Sequence, residues 1–176
     1  MRFRLGLLEE FIVILEKLQQ QFASEILSTH QAQGDLTVVI RKDRLHDILR
    51  FLKEDPDLSF EMLMDLCGVD NLRLEKEGGN APRFEVVYHL YSVTKNHRLR
   101  VRIKVPEEEM TLPTATDLWK SADWAERETH EMFGIVFEGH PNLKKLLLFE
   151  GFEGHPLRKD YPIGKRQKIP VPEEKL

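Results

Sequence analysis

The sequence predicts an α+β fold: a mixed sheet of about four to five strands layered with helices and followed by an extended C-terminal arm. Three observations carry this reading. Leu99, Val101, Ile103 and Val105 alternate strictly with Arg98, Arg100, Arg102 and Lys104, the period of a strand with one buried face. Apolar residues recur at helical spacing, as Leu8, Phe11, Ile12, Leu15, Leu18 and Phe22 in one stretch and as Leu45, Ile48, Leu49 and Leu52 in another. Beyond Val136 regular patterning fades and Gly and Pro recur every few residues, as in a segment that lies along a neighbour. The expected division is residues 1–115 as an α+β domain, 116–136 as a helical region completing it, and 137–176 as an extended arm for subunit docking.

In order, the first amphipathic helix leads to a turn at Gly34-Asp35 and a short β-branched strand from Leu36 to Ile40. Asp43 stands where a side chain could cap the second helix, and Pro56 stops that helix. Phe60 to Val69 reads as a buried strand. Asn71 to Pro82, with Gly78-Gly79, reads as a long hairpin connection. Arg83 to Val93 has aromatic and β-branched residues on both faces, as a central strand does. A helical region from Thr116 to Phe133 ends at Gly134, a residue free to adopt the left-handed conformation.

Composition narrows the function. A chain of 176 residues fits one compact domain with a surplus for an arm. With 26 Lys and Arg against 30 Asp and Glu, it has no global field for nucleic acid or anionic lipid. Its single cysteine, Cys67, allows no internal disulfide and fits a reducing cytoplasm. The longest apolar run, Phe11 to Leu15, is far below the ~20 residues that span a bilayer, so attachment to a membrane would run through another protein.

The basic strand face is readable as a surface for an anionic ligand, or as a solvated face neutralised by cross-strand partners such as Glu85; the second is adopted. In the helical region Arg127 is expected to meet Glu131, and Glu126 to meet His130, one turn apart. Glu128 shares a face with Ala125 and Met132, so it needs a cation or a raised pKa. No nucleophile stands near it, which favours a buried ion pair over a general acid. Phe137-Glu138-Gly139-His140-Pro141 recurs as Phe152-Glu153-Gly154-His155-Pro156, two turns that offer surfaces to a partner. A metal held by these histidines with His130 and Glu131 lacks ligand-pair spacing, and no metal ligand is assigned. A stand-alone metal-dependent hydrolase built on Glu128, His130, Glu131 and His140 is therefore a distant alternative. Dinucleotide and phosphate-loop fingerprints are absent, and one thiol cannot hold an iron–sulfur cluster. Neither a catalytic nor a cofactor-binding residue is assigned.

The stretch from Trp124 through Glu126, Arg127, Glu128, Glu131, Phe133 and Gly134 to Ile135 resembles a family signature. It continues through Phe137, Gly139, His140, Pro141 and Leu143, and closes with Phe152, Gly154, His155, Pro156, Leu157, Arg158, Lys159, Asp160, Tyr161 and Pro162. Met64 to Asp70, Tyr88 to Ser92 and Leu99 to Ile103 match as well, so the resemblance covers roughly residues 36–162. The family is the C subunit, or 30 kDa subunit, of the proton-pumping NADH:quinone oxidoreductase, complex I. Thr129-His130-Glu131 departs from the family, where an apolar or aromatic residue, an aromatic and Asp are common. The resemblance implies a peripheral, cofactor-free scaffolding subunit on the cytoplasmic face of the bacterial membrane. Its arm would wrap the D subunit near the cluster-bearing B subunit, with FMN and the iron–sulfur clusters held by partner subunits. Similar chains occur in related membrane-bound hydrogenases and in ferredoxin- or F420H2-driven pumps, an alternative of the same kind.

Overall fold

The computed structural model describes residues 2–32, 34–73 and 82–169, with the side chains of the first helix placed from Phe11 onward. Gly78-Gly79 and the last residues of the arm thus lie outside the described residues. Five strands form one sheet in the order β1-β2-β5-β4-β3: β1 is Ile26–Ala32, β2 Asp35–Ile40, β3 Met62–Asp70, β4 Phe84–Ser92 and β5 His97–Val105. Only the β2–β5 pair is parallel, which makes the sheet mixed as expected.

Register explains the core. Leu36, Val38 and Ile40 pair with Leu99, Val101 and Ile103, and β4 aligns Leu90, Tyr88 and Val86 beside the same three residues. All nine are buried on one face. Helix α1 (Arg2–Phe22) packs there through Phe11, Ile14, Leu18 and Phe22, and α2 (Leu45–Glu54) through Leu45, Ile48, Leu49 and Leu52. The stripe on α1 is rotated from the expected one. Ile14 is fully buried whereas Ile12 is 53% exposed, because spacing alone does not choose a face within the unbroken apolar run Phe11 to Leu15.

Two more local expectations change. Strand β1, Ser28-Thr29-His30-Gln31 at its centre, is a polar edge strand with mostly exposed residues, so it has no alternation to betray it. The N-cap of α2 is Arg44 without a side-chain hydrogen bond, so Asp43 does not cap it. The helix does stop before Pro56, with Asp55 in an extended conformation. Lys17 of α1 reaches Asp55 and Asp57 at 2.7 Å each and ties the two helices.

The remaining elements form a strand–helix–strand unit. Strand β6 (Thr111–Pro113) runs parallel to β7 (Val136–Glu138), and α3 (Ala122–Phe133) connects them. Turns at 116–118 and 120–121 precede the helix, so α3 begins at Ala122 rather than Thr116. Its entry is fixed against β3 and the residues just before it, by Ser121 Oγ donating to the Leu63 carbonyl (2.9 Å) and Trp119 Nε1 donating to that of Phe60 (3.2 Å). At its far end the Phe133 ring lies on Gly68, where any Cβ would come within 2.5 Å of it.

Candidate functional site

The signature residues converge on α3, and most of their polar groups are satisfied from within the chain. Glu131, buried, accepts hydrogen bonds from the amides of Leu146 (3.0 Å), Leu147 (2.8 Å) and Leu148 (3.2 Å). One turn earlier, Arg127 donates to the carbonyls of Lys144 and Lys145, both at 2.9 Å. The expected Arg127–Glu131 ion pair is therefore replaced. Each side chain grips the backbone of an irregular segment, the cation its carbonyls and the anion its amides.

Glu126 does not pair with His130. It is fully buried and accepts from Thr114 Oγ1 and the Ala115 amide, both at 2.6 Å. Burial pushes its carboxyl up to about 7, with the Asp123 and Asp117 charges adding to the rise. Glu128, which the helical pattern places beside an apolar stripe, is exposed. The carboxylates that need internal partners are Glu126 and Glu131, and both find them across the fold rather than along the helix.

The repeated pentapeptide clasps α3 at two points eight residues apart, about 12 Å along its axis. In the first copy Phe137 is buried in β7, Gly139 takes φ 80°, and His140 Nε2 bonds the Asp123 carbonyl at 3.1 Å. Pro141 stays exposed and Leu143 packs partly against the core. In the second copy Gly154 takes φ 86° and His155 Nδ1 bonds the Glu131 carbonyl at 2.9 Å, with Pro156 half-buried beside it. Burial lowers the His155 pKa, and because a carbonyl can only accept, Nδ1 is the donor in this bond. Phe152 stacks on Tyr161 at 6.2 Å between ring centroids.

His155 and the residues just after it complete the C-terminus of α3. A helix leaves its last carbonyls without intrahelical partners. Here Gly134 N donates to the His130 carbonyl, His155 to that of Glu131, Leu157 N to that of Met132 and Arg158 Nε to that of Phe133. The guanidinium also brings positive charge to the negative end of the helix and lies 5.1 Å from the Phe84 ring centre. Gly134 is the left-handed C-cap expected, at φ 82°. A Cβ there would meet Arg158 and His155 nitrogens at 2.6 and 2.7 Å, so the close approach needs glycine as much as the backbone does.

The end of the signature anchors to the sheet. Lys159 N donates to Asp70 Oδ2 at 2.8 Å, and Arg83 bridges Asp160 (2.6 Å) and Glu107. The bond from Arg83 holds the Asp160 carboxyl below the usual range. Gln167 then exchanges hydrogen bonds with the Glu153 backbone and reaches the Tyr161 hydroxyl, while Pro162 is exposed. The three histidines offered for a metal each bond a carbonyl instead, His130 to that of Ile135, and they form no ligand cluster among the described residues. On the basic strand face, Arg102 pairs with Glu85 as expected and Arg100 with Asp35.

Sequence and fold comparisons agree with this geometry. A mixed five-stranded sheet backed by helices, with a signature stretch that binds its own helix, places the chain in the α+β class. The family profile for the respiratory-chain NADH dehydrogenase, 30 Kd subunit, matches residues 38–167, and the chain belongs to that family. The C subunit of NADH-quinone oxidoreductase from a Roseiflexus species is 47% identical over 86% of this chain and 83% of its own. Its counterpart from Burkholderia multivorans is 44% identical over 83% of this chain and 74% of its own. Among solved structures, the trypsin-resistant fragment (1-134) of Nqo5 superposes with a TM-score of 0.66 at 36% identity, covering 76% of this chain and 99% of the fragment. An archaeal membrane-bound sulfane sulfur reductase contains a chain of the same fold, with TM-score 0.68 at 23% identity and coverage of 85% and 84%. No helix among the described residues is long and apolar enough to cross a membrane.

Proposed function

We propose that this chain is a structural and assembly subunit of the peripheral arm of a proton-translocating NADH:quinone oxidoreductase. On this reading it binds no redox group itself and braces the subunits that carry electrons from NADH through FMN and iron–sulfur clusters to quinone. It works at the cytoplasmic face of the bacterial cell membrane, held there by the D and B subunits. The family match and the names of the relatives support the assignment, and the surface around α3 supports the mode of action.

The observation that carries the docking reading is a set of large apolar side chains left outside a segment whose polar groups are largely spent. Trp124 on α3 is 68% exposed, Leu147 63% and Ile163 99%, while the segment behind Leu147 is held by Arg127 and Glu131. A surface already ordered gives up little further conformational entropy on binding. Aromatic and aliphatic anchors of this kind supply most of the energy of an interface, each removing apolar area from water at about 25 cal/mol per Å². Electron transfer and quinone reduction depend on partner subunits held in fixed geometry, which a rigid brace provides without touching substrate.

The test is purification of the tagged chain from membranes with identification of its companions and assay of NADH:quinone activity. Wild-type chain is expected to bring D- and B-type subunits, and Trp124→Asp combined with Leu147→Asp is expected to lose them while staying folded. Full assembly and full activity with the double variant would overturn the proposal.

A further inference from the structure

The sheet face opposite the core carries a group of side chains that the docking surface does not use. Asp65 and Cys67 stand two residues apart on β3 and share a face, and the antiparallel register sets His89 of β4 opposite Asp65. One ligand atom from each, a carboxylate oxygen, a thiol sulfur and an imidazole nitrogen, all lie within 4.8 Å of one another.

We propose that Asp65, Cys67 and His89 form a binding site for a divalent metal ion of zinc-like character, with its fourth position open. Sulfur, nitrogen and oxygen donors in one cluster suit a borderline metal and are the wrong set for calcium or magnesium, which take oxygen. The site is built on two paired strands, so ligand spacing is held by the sheet rather than by a loop. Arg100, opposite His89 in the register, shares its charge with β2 through hydrogen bonds to Asp35 (3.2 Å) and Thr37 (3.3 Å). Glu128 lines the cavity of about 170 Å³ that also holds Asp65 and Cys67, and adds negative charge. On the other side a cavity of about 310 Å³ adjoins Asp65 and His89 and is edged by Arg98 and Arg100. That space admits a fourth, exogenous ligand, and the two guanidiniums favour an anionic one. Metal binding releases the Cys67 proton to water, so affinity increases with pH.

Cobalt(II) titration of the full chain tests the site. The expected result is one equivalent bound, with a sulfur-to-cobalt charge-transfer band in the near ultraviolet. Cys67→Ser should abolish the band, and His89→Ala or Asp65→Ala should weaken binding by about tenfold or more. His30→Ala, on the exposed edge strand, serves as the control and should change nothing. Far-ultraviolet dichroism of the metal-free variants shows whether each is folded, and the wild-type band is informative without any variant. Absence of the band in the wild-type chain, or undiminished cobalt affinity in Cys67→Ser, would overturn the proposal.

Discussion

Glu131 is a single side chain holding three consecutive backbone amides, a duty that a neutral isostere performs poorly. Glu131→Gln keeps the volume but leaves one oxygen for the amides of Leu146, Leu147 and Leu148. We expect it to lower unfolding free energy by about 1–3 kcal/mol in urea denaturation, the cost of buried donors left short of partners. Glu126 gives a pH signature. Its carboxyl lies at about 7 in the fold against an ordinary 4.5, so the folded state favours the protonated form. The resulting stabilisation is fully present below about 4.5 and is lost as pH rises through about 7. Melting temperature should therefore fall between pH 5 and pH 8, and Glu126→Gln should flatten that slope. Glu61 acts in the opposite sense. The Thr94 hydroxyl bond holds its carboxyl down at about 2, so its contribution is present above about 4.5 and disappears as pH falls through about 2. Glu61→Gln should remove that acid limb and leave the neutral limb alone.

At the scale of the element, α3 depends on residues more than twenty positions downstream of it. Its last carbonyls are satisfied by Gly134, His155, Leu157 and Arg158, which makes the arm the cap of its own helix. Gly134→Ala places a Cβ at φ 82° and against two nitrogens at once. A left-handed L-residue alone costs about 1–2 kcal/mol, so thermal denaturation should show a loss at least that large. Truncation after Gly151 removes the second turn of the repeat together with Arg158. Amide exchange should then accelerate in the last turn of α3 while β4 and β5 keep their protection. The elements legible in the sequence are those whose pattern is local. The α2 stripe and the β5 alternation fall in the structure where their periods put them. Strand β1 is not legible, because an edge strand with neither face buried has no period to show. Spacing assigns the α3 carboxylates to the wrong partners for a related reason. It names neighbours on the same helix, whereas Glu126 and Glu131 are satisfied by Thr114, Ala115 and Leu146–Leu148 through tertiary folding.

For the whole molecule, the signature stretch is both part of the fold and the surface that faces outward. The sequence shows its composition, rich in Gly and Pro, and from that an extended segment is expected. It does not show that Arg127 and Glu131 split to hold the two polarities of one backbone, or that each copy of the repeat sends a histidine to an α3 carbonyl. Those contacts require the chain to turn back on itself, which no linear spacing encodes. They explain how a segment without helix or strand keeps one shape, and how Trp124 and Leu147 remain outside as its apolar anchors. Amide hydrogen exchange on the free, full-length chain tests this pre-organisation most directly, at Leu146, Leu147, Leu148 and Leu157. Slow exchange is expected at all four before any partner is added, with little change on assembly into the complex. Exchange at the rate of an unstructured peptide in the free chain, with protection gained only on assembly, would contradict it.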